Sequence, residues 1–257
     1  MIKKILKKLI NFTGYELTKK DNNFKFKTEL FKKNLEGHNN LNHEKSLEGF
    51  LAHVALASEI SNSQILQDLF VDYMLNKSSG FFCEVGACDG KVHSNTLWLE
   101  ENKGWTGILC EPSIQFREKI KQNRPNCIIE EQPVFSENIS EIKFIDQKGG
   151  RSFIDYSFKS DNILANDFKT MKLKTISLNN LFSKYSIKNV DYLSLDTEGS
   201  EYEILKSLDF KLYSPTVITV EHNFKNEIRK KIYSLLVKRG YKRYFTQISR
   251  FDDWYVK

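Results

Sequence analysis

The 257-residue sequence has few cysteines and prolines, and it lacks several patterns that mark particular classes of protein. Its four cysteines, at positions 83, 88, 110 and 127, form no CxxC pair, so a structural zinc site is not expected. No apolar run approaches the roughly 20 residues that cross a bilayer. The first ten residues alternate lysine pairs with aliphatic residues and show no uninterrupted apolar core of a secretory signal. We therefore expect a cytoplasmic protein with reduced thiols.

The positive charge is confined to one part of the chain. Residues 1–40 hold ten lysines and four acidic residues, which accounts for the whole formal net charge of +6. A neutral main body argues against nucleic acid as a partner, because nucleic-acid-binding proteins usually cluster basic residues on a folded face. Residues 2–10 place aliphatic and lysine side chains on opposite helical faces. This helix is expected to pack on the body or on another subunit, or to bring residues 1–11 against the inner face of an anionic membrane.

The hydrophobic pattern predicts a basic extension over residues 1–43 and one domain over residues 44–257, with a helical lead-in over 44–79 that breaks near Ser61–Ser63. Strands that alternate with helices from residue 80 onward predict an α/β fold: a mostly parallel sheet with helices on both faces and an antiparallel terminal hairpin. Ser113 and a capping box of Ser200 and Glu203 are expected to begin two helices, and Gly104 and Gly240 to end two others. The predicted strands are 81–85, 107–110, 127–130, 142–145, 192–195, 217–220, 241–247 and 254–256, and the predicted helices are 95–103, 114–123, 178–185, 201–208 and 226–239.

The first predicted strand carries Glu84 near its end and leads into a turn, E-x-G-x-x-x-G, that contains Gly86, Ala87, Asp89 and Gly90. The glycines allow a tight turn and the close approach of a ligand. The pattern differs from the G-x-G-x-x-G of dinucleotide folds, and Glu84 would repel a pyrophosphate placed at the turn. It suits a cationic ligand such as S-adenosylmethionine, which carries an ammonium group and a sulfonium.

Three further strands end in acidic residues. Glu111, followed by Pro112, stands about 20 residues after the glycines, where α/β nucleotide-binding folds place an acid that accepts the ribose hydroxyls. Ligands bind at the carboxyl ends of parallel strands, so we expect these acids to meet at one rim. The alternative is that they are solvated loop acids. The remaining strand-end residues are Asp196, Glu198, Glu221 and His222.

Together, the segments GFFCEVGACDG followed by SNT, GILCEP and VDYLSLDTEGSE resemble the FkbM-type family of S-adenosylmethionine-dependent methyltransferases, and Ser63–Asp68 is similar to a segment that precedes the first motif in that family. The resemblance covers residue 63 to the end of the chain. It implies a class I methyltransferase fold, with a seven-stranded sheet whose last strand is antiparallel. It also implies that Glu84, Gly86 and Gly90 bind the amino-acid part of the cofactor, that Glu111 binds the ribose, and that Gln132 lies near the adenine. Asp196, Glu198 and Gly199 would lie nearest the transferable methyl group.

The family is associated with O-methylation, often of sugars or natural products, so the expected function is methylation of a hydroxyl of a sugar or glycan precursor, as in surface polysaccharide biosynthesis. Such a hydroxyl needs either a general base or a metal ion. His222 is the leading candidate for the base, with Asp196 and Glu198 as alternatives, although a structural histidine is the competing interpretation. Alternatively, Mg²⁺ or Mn²⁺ is held by Asp196, Glu198, Glu221 and His222.

Other functions fit the sequence less well. The missing G-x-G-x-x-G and the extra strand-end acids argue against an NAD-dependent oxidoreductase. The intact acidic motifs argue against a non-catalytic membrane-associated module. A methyltransferase that acts on a non-sugar small molecule or a nitrogen atom stays open, and so does the oligomeric state.

Overall fold

The structure, a computed structural model, describes residues 45–57, 61–139, 141–147, 152–154 and 168–257. The chain divides into two units, residues 1–61 and 62–257. In the first unit, helix α1 spans Leu47–Ala57 and confirms the helical periodicity found there. The basic helix predicted for residues 2–10 and the membrane contact of residues 1–11 lie outside the described residues. Within the described ranges, no helix is long and apolar enough to cross a membrane.

The second unit contains a large sheet, two small sheets and the remaining helices. Its helices are α2 (Gln67–Leu75), α3 (Leu97–Lys103), a 3₁₀ turn (Ile114–Phe116), α4 (Arg117–Asn123), α5 (Leu178–Lys184), α6 (Glu201–Ser207) and α7 (Asn226–Lys238). Its strands are β1 (Phe81–Val85), β2 (Thr106–Cys110), β3 (Ile128–Glu130), β4 (Val134–Phe135), β5 (Ile142–Gln147), β6 (Phe153–Ile154), β7 (Phe168–Leu173), β8 (Ile176–Ser177), β9 (Tyr192–Leu195), β10 (Val217–Glu221), β11 (Lys242–Tyr244) and β12 (Asp252–Val256).

The large sheet has the strand order β11-β12-β10-β9-β1-β2-β3. β12 runs antiparallel to both of its neighbours, and the other pairs are parallel. This is the seven-stranded arrangement that the resemblance implied. The chain proceeds from β1 to β2 and β3 on one side, and β9 and β10 lie on the other. Between β1 and β9 the strand order therefore reverses, which is where open α/β sheets bind ligands.

Both faces of the sheet are covered by helices. Alternate residues of the central strands, such as Cys83 and Val85, join a core to which α5, α6 and α7 contribute. On the opposite face, the ring of Phe70 from α2 lies 4.8 Å from that of Trp254, and the guanidinium of Arg124 after α4 lies 5.4 Å from the ring of Phe82. Because both faces are buried, the central strands are nearly continuous apolar runs.

The strand predicted at 142–145 does not join the large sheet. β5 pairs antiparallel with β6 and β7 in a separate three-stranded sheet. Ile142 and Phe144 are buried in a small core, and Lys143 between them is half-buried. Ile145 and Asp146 are buried as well, so both faces of the strand are covered from residue 144 to residue 146.

The helix ends agree only in part with the sequence signals. Gly104 (φ 65°) and Gly240 (φ 90°) end helices in the left-handed region, as predicted. Neither predicted serine cap forms. The hydroxyl of Ser113 donates instead to Asp146 Oδ1 at 2.5 Å, and that of Ser200 donates to Thr197 Oγ1 at 2.8 Å.

Candidate active site

The carboxyl ends of β1, β2, β9 and β10 border a cavity of about 720 Å³. This volume lies in the range of small-molecule and cofactor pockets. The lining includes acids from all four strand ends, as the sequence predicted: Glu84, Glu111, Asp196, Glu198 and Glu221.

The turn after β1 requires glycine at position 86. Gly86 has φ 89°, and a Cβ there would lie only 1.8 Å from the backbone oxygen of Asp196. Its N–H donates to Cys110 O at 3.0 Å. The turn therefore passes closely between the ends of β2 and β9, a path that no residue with a side chain can follow. Ala87 and Cys88 continue the turn along the cavity wall.

Glu111 is fixed by the backbone around it. One carboxylate oxygen accepts the N–H of Cys88 at 2.8 Å, and the other accepts that of Ser113 at 2.8 Å. Burial raises the pKa of Glu111 to about 7, although these two hydrogen bonds oppose the shift. Each oxygen keeps a second lone pair, so the carboxylate can accept two ligand hydroxyl groups, as a ribose diol offers. Pro112 lines the cavity beside it.

Glu84 is held by the protein itself. Its oxygens accept the Ser94 hydroxyl at 3.0 Å, the Asn95 N–H at 2.7 Å and the Thr96 hydroxyl. Burial is the largest cause of its raised pKa, and the nearby Arg124 opposes the shift. The carboxylate lines the cavity, but it mainly holds the loop of residues 94–96. Binding of the cofactor's amino-acid part by Glu84 stays a prediction.

Arg124 is buried beside Glu84 and the glycine turn. No sequence motif singled this residue out. Its Nη1 donates to Gly90 O at 3.1 Å and to the Ser94 hydroxyl at 3.0 Å, and its Nε donates to Glu100. It lies 4.0 Å from Glu84. One cation therefore links the glycine turn, the following loop and α3. The only sequence signal is an arginine at the end of an amphipathic helix, which is normally solvent-exposed.

Three predicted cofactor residues do not line the cavity. The carboxylate of Asp89 accepts the N–H groups of Lys91 and Val92 at 2.9 and 2.8 Å and closes a turn. Gly90 lies behind the turn, where its Cβ position is 2.8 Å from Arg124. The N–H of Gln132 donates to Glu130 at 3.1 Å, and the next two residues line the cavity in its place.

The acids at the ends of β9 and β10 form a tight cluster. One carboxylate oxygen from each of Asp196, Glu198 and Glu221 lies within 4.8 Å of the others. Burial, followed by repulsion from neighbouring carboxylates, raises the pKa of Asp196 and that of Glu221. The cluster can hold a proton, a cationic ligand or a hard divalent ion.

His222 does not join this cluster, so its predicted placement with the other three is not met. Its Nδ1 accepts the N–H of Phe224 at 3.1 Å, and its Nε2 lies 3.9 Å from Asp253 Oδ1. Burial lowers the pKa of the imidazole. Glu221 and His222 are consecutive at the end of a strand, so their side chains point to opposite sides.

Glu201 organises the loop between β9 and α6, a role that the sequence did not reveal. It is buried, and its Oε1 accepts the N–H groups of Thr197 at 2.8 Å and Gly199 at 3.0 Å. Within this loop, Glu198 adopts φ 58°, a left-handed conformation that is uncommon outside glycine. The only sequence signal is the third acid of the DTEGSE segment.

The other end of the cavity is apolar. The small sheet of β5, β6 and β7 supplies part of this wall, and the pattern of residues 142–145 predicted a strand without this separate sheet. A flat aromatic ring fits such a wall better than a charged group does. The apolar residues are Pro133, Val134, Phe144, Phe153 and Ile154.

A seven-stranded sheet with one antiparallel strand, together with an acid-lined cavity where the strand order reverses, defines a class I S-adenosylmethionine-dependent methyltransferase. A family model described as the methyltransferase FkbM domain matches residues 84–243, which is more than half of the chain. The protein belongs to this family, and the resemblance stated from the sequence is confirmed.

The chain is also similar to solved methyltransferase structures, at low sequence identity. A methyltransferase FkbM from Methylobacillus flagellatus KT is 12% identical over 89% of this chain, with a TM-score of 0.49, and this chain spans 58% of its length. An O-methyltransferase from Bacillus cereus in complex with SAH is 12% identical over 100% of both chains, with a TM-score of 0.43. A putative caffeoyl-CoA O-methyltransferase from Staphylococcus aureus is 11% identical over 89% of this chain and 99% of its own, with a TM-score of 0.47. No curated protein matches the chain.

Proposed function

We propose that the protein transfers a methyl group from S-adenosylmethionine to a hydroxyl oxygen of a sugar or glycan precursor. The carboxylate of Asp196, which lines the cavity and whose pKa burial raises to about 7, carries this proposal. A sugar hydroxyl is a very weak acid, and its proton must be removed during transfer. A carboxylate whose pKa is raised accepts a proton more readily than an ordinary one while remaining partly ionised near neutral pH.

The cavity offers complementary surroundings for each part of the cofactor. Glu111 accepts the two ribose hydroxyls, and the turn at Gly86 lies against the amino-acid part. The apolar wall that contains Val134 and Phe144 receives the adenine ring. When bound, S-adenosylmethionine supplies a methyl group activated on a sulfonium. The protein supplies alignment, exclusion of water and removal of one proton.

Within the acid cluster, Asp196 accepts the proton of the acceptor hydroxyl. Glu198 and Glu201 raise the pKa of Asp196 by charge repulsion, and Glu221 lies beside it in the cluster. Glu198, held in a left-handed conformation by the loop, faces the same cavity and orients the acceptor. In this proposal His222 contributes indirectly, by holding the backbone that follows β10.

A metal-assisted version of the same reaction is the second candidate. The observation that favours it is the approach of three carboxylate oxygens to within 4.8 Å of one another. Asp196, Glu198 and Glu221 would then bind Mg²⁺ or Mn²⁺, and the ion would lower the pKa of the acceptor hydroxyl. Activity that is lost on chelation and restored by Mn²⁺ would support this version. Full activity after exhaustive chelation would eliminate it.

The acceptor class is tested with a radiolabelled methyl donor. Sugars, nucleotide sugars and glycolipids are compared with amine-bearing and non-sugar small molecules, and mass spectrometry locates the added methyl group. We expect transfer to a hydroxyl of a glycan. Transfer only to nitrogen or to non-sugar acceptors would contradict the proposal, while binding of S-adenosylhomocysteine would independently report an intact cofactor site.

We also propose that residues 1–11 bring the enzyme to an anionic membrane surface. The four lysines at positions 3, 4, 7 and 8 support this, since each contributes about 1 kcal/mol near an anionic surface. Replacement of all four by glutamine should release the protein from phosphatidylserine vesicles in a sedimentation assay. Equal sedimentation of the two proteins would refute the contact.

A further inference from the structure

A second cavity, of about 390 Å³, lies beside the N-terminal half of α7 and has no place in the function proposed so far. Three of its lining side chains are cationic, and in the described structure none is acidic. The lining residues are Asn226, Arg229, Lys230, Tyr233, Arg243 and Thr246.

A buried carboxylate holds the two arginines of this cavity, Arg229 and Arg243, in position. The carboxylate of Asp253, which is buried, accepts from Arg229 Nη2 at 2.7 Å and from Arg243 Nη1 at 3.0 Å. The guanidinium of Arg243 also lies over the ring of Tyr233, 4.4 Å from its centroid. Each guanidinium has five N–H donors, so Asp253 occupies a minority of them. With Lys230 included, the three cations exceed the one carboxylate by two charges.

This cavity borders the start of α7, the helix that follows β10, and the carboxyl end of β10 borders the cofactor cavity. Asn223 lines the first cavity and Asn226 lines the second. They are three positions apart in the sequence, so their Cα atoms lie no more than about 11 Å apart. The linings of the two cavities therefore approach each other along this segment of the chain.

An exposed aromatic residue lies between Asn223 and Asn226 in the sequence. Phe224 is 63% exposed, although it is large and apolar. It has φ 58° and the preceding Asn223 has φ 45°, so two consecutive non-glycine residues adopt the left-handed region. Such strain persists only where the surroundings enforce it, and it is common at ligand-binding sites. Here the bond from the Phe224 N–H to His222 Nδ1 helps to enforce it.

We propose that the second cavity binds the phosphate or diphosphate of a phosphate-linked sugar, whose ring lies on Phe224 and whose hydroxyl reaches Asp196. This inference rests on the proposed function and narrows its acceptor class. Phosphate is favoured because guanidinium groups bind it through paired N–H donors, and fixed arginines lose little side-chain entropy on binding. The α7 N-terminus adds a partial positive charge. A nucleotide sugar and a lipid-linked sugar share this chemistry.

The test is isothermal titration of inorganic diphosphate into the full chain, with EDTA present so that no metal ion bridges it to the acid cluster. Lys230→Gln removes one cation from the cavity, and Lys231→Gln removes one outside it. Thr246→Glu places a carboxylate in the cavity, and Gln247→Glu places one beside it. We expect Lys230→Gln to weaken binding about fivefold and Thr246→Glu at least tenfold, with each control within twofold of wild type.

Binding that is absent, or that the control variants weaken equally, would overturn the proposal. S-adenosylhomocysteine is titrated into every variant, so loss of the cofactor site would be seen separately. Failure of the diphosphate test would leave the methyltransferase function intact. UDP-glucose and farnesyl diphosphate are then tested as competitors of diphosphate. Stronger competition by UDP-glucose would indicate a nucleotide carrier, and stronger competition by farnesyl diphosphate would indicate a lipid carrier.

Discussion

Asp196 and Glu221 bring carboxylate oxygens to within 4.8 Å of each other where two neighbouring parallel strands end. The strand register explains their meeting, because Leu195 pairs with Val220 and the residue that follows each of them is an acid. Burial and repulsion from neighbouring carboxylates raise the pKa of Asp196 to about 7 and that of Glu221 to about 9. A cationic ligand beside them would favour their ionised forms, which links cofactor binding to activation of the base.

Replacement of Asp196 by Asn should separate catalysis from cofactor binding. The amide keeps the shape, but it cannot accept the hydroxyl proton. We expect turnover to fall at least about 100-fold, the lower end of general-base effects, while affinity for S-adenosylhomocysteine stays within about threefold. Labelled methyl transfer and calorimetry measure the two quantities. Glu203→Gln, which changes an acid on α6 outside the cavity, is the control, and loss of cofactor binding in Asp196→Asn would contradict the assigned role.

Two glycines with nearly equal φ values test how closely the turn after β1 approaches β9. Gly86 (φ 89°) has the backbone oxygen of Asp196 1.8 Å from its Cβ position, whereas Gly240 (φ 90°) has nothing within 4 Å. We expect Gly86→Ala to destabilise the protein by about 3 kcal/mol or more and to abolish binding of S-adenosylhomocysteine. Gly240→Ala should cost only the backbone strain of about 1–2 kcal/mol and bind normally. Urea unfolding and calorimetry compare them, and equal effects would refute the close approach.

Glu111 should make the ligand-free protein less stable as the pH rises. Its pKa is raised from 4.5 to about 7, mainly by burial. Between these pH values the folded state holds a proton that the unfolded state has lost, so stability falls as pH increases through this window. Glu111→Gln should reduce the fall between pH 5 and pH 8 by as much as about 3 kcal/mol. Urea unfolding across this range provides the measurement, with Glu118→Gln as the surface control. Parallel curves for wild type and Glu111→Gln would rule the effect out.

The strand-end acids were predictable because each follows an apolar run long enough to cross a buried sheet. Parallel strands then bring their ends to one rim whatever the loops between them do. The predictions that were wrong concern the direction in which a side chain points, which depends on finer geometry. Whether residue 221 or 222 faces the cavity is decided by the pleat at the last residue of β10, and a one-residue change reverses it.

The supporting residues were harder to predict, for a different reason. Arg124 resembles any surface arginine at a helix end until the fold places Glu84, Glu100 and the Gly90 carbonyl around it. The apolar wall of the cavity depends on β5 pairing with β6 and β7 in a separate sheet, and its short apolar run does not indicate which partner strands it joins. Tertiary contacts decide both cases, and sequence periodicity does not record them.

Substitutions of His222 distinguish a catalytic base from a residue that positions the following turn. If its Nδ1 mainly accepts the Phe224 N–H, then Asn, whose side-chain oxygen can accept the same bond, should keep most of the activity. Ala removes the acceptor, and we expect a rise in KM for the acceptor of about three- to tenfold, with affinity for S-adenosylhomocysteine unchanged. In both variants the activity should fall at low pH over the same pH range as in the wild type, because this fall follows the titration of Asp196 and Glu221. A loss of about 100-fold in kcat for both variants, with that fall abolished, would restore His222 as the base.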